Sequence, residues 1–371
     1  MNEDRIYRLL VINPGSTSTK AALYENEKCL METNVFHDAP LLLSFPTVND
    51  QLEFRKKVIL DYLQENGVDP ASIDVWIGRG GSCYPLTGGT YRITDKLVED
   101  TRNMAGGVEH PANLGVQLAK EFCDEYGGQM FTVDPPKVDE FWDLARMTGI
   151  KGVYRKSSLH ALNLKGTARE YASSIRKRYE DLNLIVCHID GGISISAHVK
   201  GRMVDGNDIA GGDGPFTPTR IGSVAAADML SWLEDHDMSE AKKLCTRSGG
   251  FVSHFGTSDK RKVWKMVEDG DSRARRVWDA MIYQICKCIG AMAAAMEGRV
   301  DAIVMGGGLC NFQDLTDQIL KRCGWIAPIK IYHEEFEHRS LVAGALRVLR
   351  GQEEAKIYNG KPAWDGFADE K

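Results

Sequence analysis

Behind the apolar run LLVI, residues 13–20 read NPGSTSTK: one glycine, four hydroxyl residues and a closing lysine. A phosphate-binding loop of the GxxxxGK[ST] kind needs a second glycine before the lysine and a helix after it. Neither is present, since Gly15 stands alone and AALYEN continues as strand. A β-hairpin turn can still hold phosphate. Gly15 lets backbone N–H groups converge, and strand alternation brings Ser16, Ser18 and Lys20 to one face. Taken alone, the stretch is equally an ordinary hairpin whose hydroxyls serve their own backbone. A second turn, HIDGGIS at 188–194, bends at Gly191 and Gly192 with His188 and Asp190 beside it. Two copies favour phosphate binding. A third stretch, DAIVMGGGL at 301–309, ends a buried strand in Gly306, Gly307 and Gly308. A nucleotide face against bare backbone needs that composition, and a tight strand-to-helix connection shares it.

Charged residues stand at telling places. Arg79 closes the strand DVWIG, where a charge faces either a cleft or a surface ion pair. His160 falls in the first turn of a predicted helix, whose dipole disfavours an imidazolium; a capping or core role is the alternative. Asp134 ends the strand MFTVD just before two prolines. It is either the N-cap of a following helix or a group at a strand's carboxyl end, where α/β sites gather. HEEFEH at 333–338 contains neither HExxH nor HxxEH. Histidines five apart do not share a helix face, so zinc is rejected.

Short β-branched runs alternating with helical patterns predict an α/β protein. Strands are expected at 8–13, 74–78, 130–134, 184–190, 301–305 and 329–332. Asp50 is expected to cap the helix closed by Gly67, and Pro111 to open a helix ending at Gly127. Pro135 and Pro136 predict a helix over KVDEFWDLARMT, and Ser157 or Ser158 predicts a cap for a helix from Leu159 to about Tyr179. LLVINPGSTSTKAALYENEKCLME and LIVCHIDGGISISAHVKGRMVDGN, about 175 residues apart, share one order of strand, Gly turn, strand, turn, strand. That duplication predicts two similar domains with a cleft between their turns.

Composition narrows the class. The 371 residues carry a net charge of −6 and no Lys/Arg-rich block, which argues against nucleic-acid binding. Nine cysteines without a CxxC pair read as reduced thiols in a cytoplasmic protein. The most apolar helical segment, WDAMIYQICKCIGAMAAAME, contains Lys287 and Gln284 and falls short of a membrane span. The opening MNEDRIYR is not a secretion signal.

Together these stretches resemble the acetokinase family of the acetate and sugar kinase/Hsp70/actin superfamily, in its butyrate kinase branch. The resemblance rests on NPGSTSTK, GRGG (78–81), PLTGGTY (85–91), EHPANLG (109–115), VDPPKVDEF (133–141), RKSSLHALNLK (155–165), HIDGGIS, GRMVDGND (201–208), GDGPFTPTR (212–220), MGGGL (305–309) and VAGALRVLRG (342–351). They follow family order over nearly the whole chain. The chain length and the GRGG spacing favour the butyrate branch over the acetate one.

The resemblance implies two ribonuclease H-like, actin-like domains with an interdomain active-site cleft. They would span residues 1–156, completed by a C-terminal helix at about 338–357, and residues 157–337. It implies transfer of the ATP γ-phosphoryl to butyrate, reversibly, with Mg²⁺. Acetate, propionate and isobutyrate are rival acids, and a non-metabolic actin/Hsp70-like ATPase is the rival class. A carboxylate is already ionised at neutral pH and needs no general base, so the enzyme's work is alignment and charge stabilisation.

By the same resemblance, Arg79 meets the substrate carboxylate, Arg220 serves the transferring phosphoryl, and His160 bonds it in the transition state. His110 is a second family histidine. Asp134, Asn13 and Glu337, with Glu335 as the alternative glutamate, are the implied metal and phosphoryl machinery. Asn13, Ser16, Ser18, Lys20, His188, Gly191 and Gly192 are the implied phosphate contacts, and Gly306–Gly308 the adenosine contacts. Cys83, Tyr84 and Pro85 are expected near the acid pocket. A homodimer or higher homo-oligomer is expected. Three places depart from the family pattern. Asp190 stands where a glycine is usual, Met305 stands where a threonine is common, and FEHRS replaces an acidic run. An extra carboxylate at 190 would either repel phosphate or join a metal shell.

Overall fold

Alternation of β-branched strands with amphipathic helices produces two sheets in the computed structural model, which describes residues 5–81, 83–107, 110–334 and 336–370. Glu335 lies outside the described residues. The chain divides into a first unit, running to Asp139 and resuming at Phe336, and a second unit, Glu140–Glu335.

The first unit holds strands β1 (Arg8–Pro14), β2 (Ser18–Glu25), β3 (Lys28–Phe36), β4 (Val75–Gly78), β5 (Thr90–Arg92), β6 (Gln129–Val133) and, at the far end of the chain, β12 (Lys356–Ile357). Their sheet order is β12-β5-β6-β4-β1-β2-β3. The second unit holds β7 (Asn183–Ile189), β8 (Ile193–Val199), β9 (Arg202–Gly206), β10 (Ala302–Gly306) and β11 (Ile329–Ile331), ordered β11-β10-β7-β8-β9. Both sheets contain one five-strand pattern. In it, β6-β4-β1 and β11-β10-β7 run parallel, and each set continues into an antiparallel meander, β1-β2-β3 and β7-β8-β9. The central parallel strands β1, β4, β7 and β10 are almost wholly buried, as strands covered on both faces must be, whereas the outer β6 and β11 are buried only in part. Each unit has its own core, centred on Leu10, Trp76 and Phe122 in the first and on Ile185, Trp278 and Ile303 in the second.

The six expected strands form within one or two residues of their expected ends. Several helix expectations need correction. Asp50 does not cap the helix Leu52–Glu65; its carboxylate turns back to accept from the N–H and hydroxyl of Thr47, both at 2.8 Å. No helix covers residues 137–148 beyond the single turn Asp143–Arg146. That backbone is taken by loop pairing instead: Leu86 N–H donates to Lys137 O, and Asp139 N–H to Leu86 O at 2.7 Å. With no helix behind it, Asp134 is not an N-cap. The later helix spans Ala161–Ser174, and His160, not Ser157 or Ser158, is its cap residue. The first unit ends at Asp139, earlier than residue 156. Trp142 N–H donates to Val204 O, and the buried carboxylate of Glu140 pairs with Lys165 at 2.8 Å, so this stretch is tied to the second sheet.

Candidate active site

In the first unit, hairpin register sets Asn13 directly opposite Lys20, so both side chains share one face. Ser18 follows that face two residues earlier, while Ser16 lies in the exposed turn. The turn closes with Gly15 N–H donating to Ser18 O at 2.8 Å. It is held from beneath by Arg55, a residue with no exposed surface on the helix Leu52–Glu65. Arg55 donates to Ser18 O at 2.9 Å, Gly15 O at 3.0 Å, Thr19 Oγ1 at 3.1 Å and Gln51 Oε1 at 2.9 Å. Burial brings its guanidinium pKa down to about 10, still protonated at neutral pH.

Arg79, at the carboxyl end of β4, extends the pairing to β1 through its N–H to Ile12 O at 2.8 Å. The GRGG and PANLG stretches form one packing device. A Cβ on Gly115 would strike Arg79 O, and one on Gly78 would strike the Gly115 carbonyl, so the helix Asn113–Tyr126 meets the strand end through bare backbone. Arg79 Nε stands 2.7 Å from Glu337 Oε1, an ion pair lacking the alignment of a hydrogen bond. Asn13 Nδ2 donates to Glu337 Oε2 at 2.9 Å and lies 3.4 Å from His338 Nε2. Burial pushes the Glu337 carboxyl up, but Arg79, His338, Asn13 and Lys20 outweigh it and hold the group below the usual carboxylate range. Burial also lowers His338, with Lys20 and Arg79 adding to it against Glu337 and Glu32. His110 accepts the Ala112 N–H at Nδ1, and desolvation, then Arg79 and Arg55, lower its pKa.

The remaining first-unit residues are placed differently. Asp134 is buried with a left-handed φ of 40°, and its Oδ1 accepts from Gly89 N–H at 2.7 Å. Cys83 is fully buried in the core, its thiol beside Leu97 O and Thr101 Oγ1, whereas Tyr84 and Pro85 are half-buried. Among the described residues, no three His, Cys, Asp or Glu side chains gather as a metal cage. Mg²⁺ takes one or two carboxylates and completes its shell with water and phosphate oxygens. Glu337, held ionised beside the Asn13 amide, fits that limited demand.

In the second unit, His188 ends β7 opposite Ser194 and beside Gly306 of β10. His160 meets Ser194 twice, through Nδ1 at 2.8 Å and through its N–H at 3.2 Å to Oγ. Its ring stands 4.6 Å from that of His188, centroid to centroid. Arg220 reaches the same turn: a Cβ on Gly192 would overlap its Nη1 and lie 2.9 Å from the His160 ring. Arg220 Nε and Nη1 are buried without a hydrogen-bond partner. Burial lowers the guanidinium pKa, with Asp208 partly opposing. Thr217 and Thr219 clamp the Arg220 loop to the turn, donating to Gly191 O at 2.7 and 3.1 Å. Gly307, at φ 105°, passes Ile189 O too closely for any Cβ, while a Cβ on the buried Gly306 would make only ordinary contacts with Thr167 and Tyr332 O.

The sequence profile of the acetokinase family matches residues 142–337. A probable butyrate kinase of Clostridium botulinum (strain Alaska E43 / Type E3) is 42% identical over 354 residues, 95% of this chain and 99% of that relative. The chain belongs to the acetokinase family. Among solved structures it resembles the acetate kinase of Porphyromonas gingivalis, with a TM-score of 0.74 at 18% identity over 92% of this chain and 100% of that one. A propionate kinase from Francisella tularensis gives 0.67 at 17% identity, over 91% and 98%. These likenesses match the two-domain, actin-like α/β fold.

For this acetokinase-family chain, sequence reasoning passed over four supporting residues. Arg55 sits inside an ordinary amphipathic helix and carries no local signal. Ser194 could have been found from hairpin register, which sets it against His188. Thr217 and Thr219 stand in the quoted FTPTR stretch, but their use depends on a loop that returns to Gly191.

Proposed function

We propose that this chain transfers the γ-phosphoryl group of ATP to the carboxylate of a short-chain fatty acid, butyrate, giving butyryl phosphate and ADP, and runs the reverse. The observation that carries the reading is Arg220. Its buried Nε and Nη1 atoms lack partners, and Nη1 borders the bare face of Gly192 that the His160 ring also borders, a site built for an anion. The 42% identity to a probable butyrate kinase supports butyrate as the acid.

The carboxylate oxygen attacks phosphorus in line while the bond to ADP breaks; no proton leaves the nucleophile. Arg220 stabilises charge on the equatorial oxygens, and His160, its Nδ1 steadied by Ser194, donates a hydrogen bond to the phosphoryl from Nε2. Arg79 orients the acid's carboxylate while Glu337 fixes its guanidinium. Asn13, Ser18, Lys20 and His188 serve the phosphates, with Gly191 and Gly192 offering backbone; Ser16 is the exposed member. Glu337 and Asn13 would hold Mg²⁺, which supplies charge neutralisation on phosphate oxygens. The Gly306–Gly308 turn would take the adenosine.

A hydroxamate assay with ATP, Mg²⁺ and straight and branched acids from C2 to C6 tests this. We expect acyl hydroxamate with butyrate foremost. A preference for acetate, propionate or isobutyrate would reassign the acid, and no product with any acid would overturn the kinase reading.

A further inference from the structure

Asp190 places a carboxylate in a turn otherwise bordered by Arg220, His160 and His188. The structure supplies its partner, because Lys260 forms an ion pair with Asp190, the two side chains being 26% and 28% exposed. Lys260 opens the helix Lys260–Glu268, whose cap Asp259 accepts from Arg261 N–H at 2.9 Å. A Cβ on Gly308 would collide with the Lys260 ammonium and lie 3.1 Å from each Asp190 oxygen. The ammonium therefore stands where the second and third glycine turns meet. It borders a cavity of about 280 Å³, lined also by Gly191, Pro218, Ser258 and Arg261.

We propose that Lys260 is a ligand for a nucleotide phosphate, held ready on Asp190 until the phosphate takes its place. This rests on the kinase reading above. Three observations favour it over a merely structural bridge. The pair is partly open to solvent, where an ion pair adds little to stability, so exchange of partners costs little. An ammonium on a flexible stem is a point-charge phosphate binder that swings without strict geometry. And Gly191, where an added Cβ would meet nothing within 4 Å, leaves room for phosphate oxygens beside it.

The competing role is simple neutralisation, in which Lys260 only cancels the Asp190 charge. Calorimetric titration of the full chain with ADP and with adenosine separates the two. Lys260→Met should weaken ADP binding by about tenfold or more and leave adenosine binding unchanged. The double variant D190N/K260M should remain weak for ADP, and Lys260→Arg should keep most of the affinity. Recovery of wild-type ADP affinity in the double variant would overturn the inference, as would unchanged ADP affinity in Lys260→Met when the wild type binds ADP. A wild type that binds no ADP would instead overturn the kinase reading and this inference with it. The double variant, with neither charge left in the pair, keeps the test decisive if Lys260→Met alone does not fold.

Discussion

At Arg220 a guanidinium is held in the protein with two nitrogens unsatisfied, an arrangement that costs free energy in the unliganded chain. Removing a residue of that kind separates function from stability. Arg220→Met should lower kcat by on the order of 10³-fold or more in the hydroxamate assay. The thermal midpoint should hold or rise, because an unpaired buried charge is lost. A fall in midpoint together with kcat would assign Arg220 to structure. Arg79 differs, since Glu337 already engages it at 2.7 Å. The sequence left Arg79 facing a cleft or making an ion pair; its partner Glu337 lies far away along the chain and had no local mark.

Among elements, the first hairpin depends on a neighbour it does not touch in sequence. NPGSTSTK bends tightly enough to turn carbonyls 15 and 18 toward the helix Leu52–Glu65, and Arg55 from that helix bonds both, the Ser18 bond being buried and the Gly15 bond partly so. Arg55→Met should destabilise the first unit by about 1–3 kcal/mol, because the Gly15 carbonyl loses its donor and the Ser18 carbonyl keeps only the Gly15 N–H. Urea unfolding checks this; a loss below about 0.5 kcal/mol would contradict it. The missing helix at 137–148 makes the complementary point. Its sequence has helical signals, yet the backbone groups of Lys137 and Asp139 are claimed by Leu86.

For the whole molecule, burial of histidines makes stability depend on pH. His338 and His37 are both held below the ordinary imidazole pKa, by burial first; nearby cations add to this, and at His338 the Glu337 carboxylate partly opposes it. Between that native pKa and the unfolded value of about 6.5, the unfolded chain binds more protons than the native one. Their contribution is therefore full above about pH 6.5 and drains as pH falls through that window. Glu337, held below the usual carboxylate range, adds a second loss at lower pH, below about 4.3. The urea midpoint should fall steadily from pH 7 to 5.5, and His338→Gln should flatten the slope; a midpoint constant over that range would refute the assignment.

What the residues determined by themselves is the six strands, the duplication and the set of charged residues that are candidates for the site. Strand period, glycine turns and paired motifs are local properties, and the strand order β4-β1-β2-β3 recurs as β10-β7-β8-β9 because the repeated stretch has one intrinsic pattern. Only the tertiary structure decided who meets whom. It gave Asp190 to Lys260, 70 residues away, set Arg55 beneath the NPGSTSTK turn, and brought Thr217 and Thr219 back to Gly191. Those choices depend on loop closure and packing across long sequence separation, where a charge, a hydroxyl or a carbonyl carries no local sign of its partner.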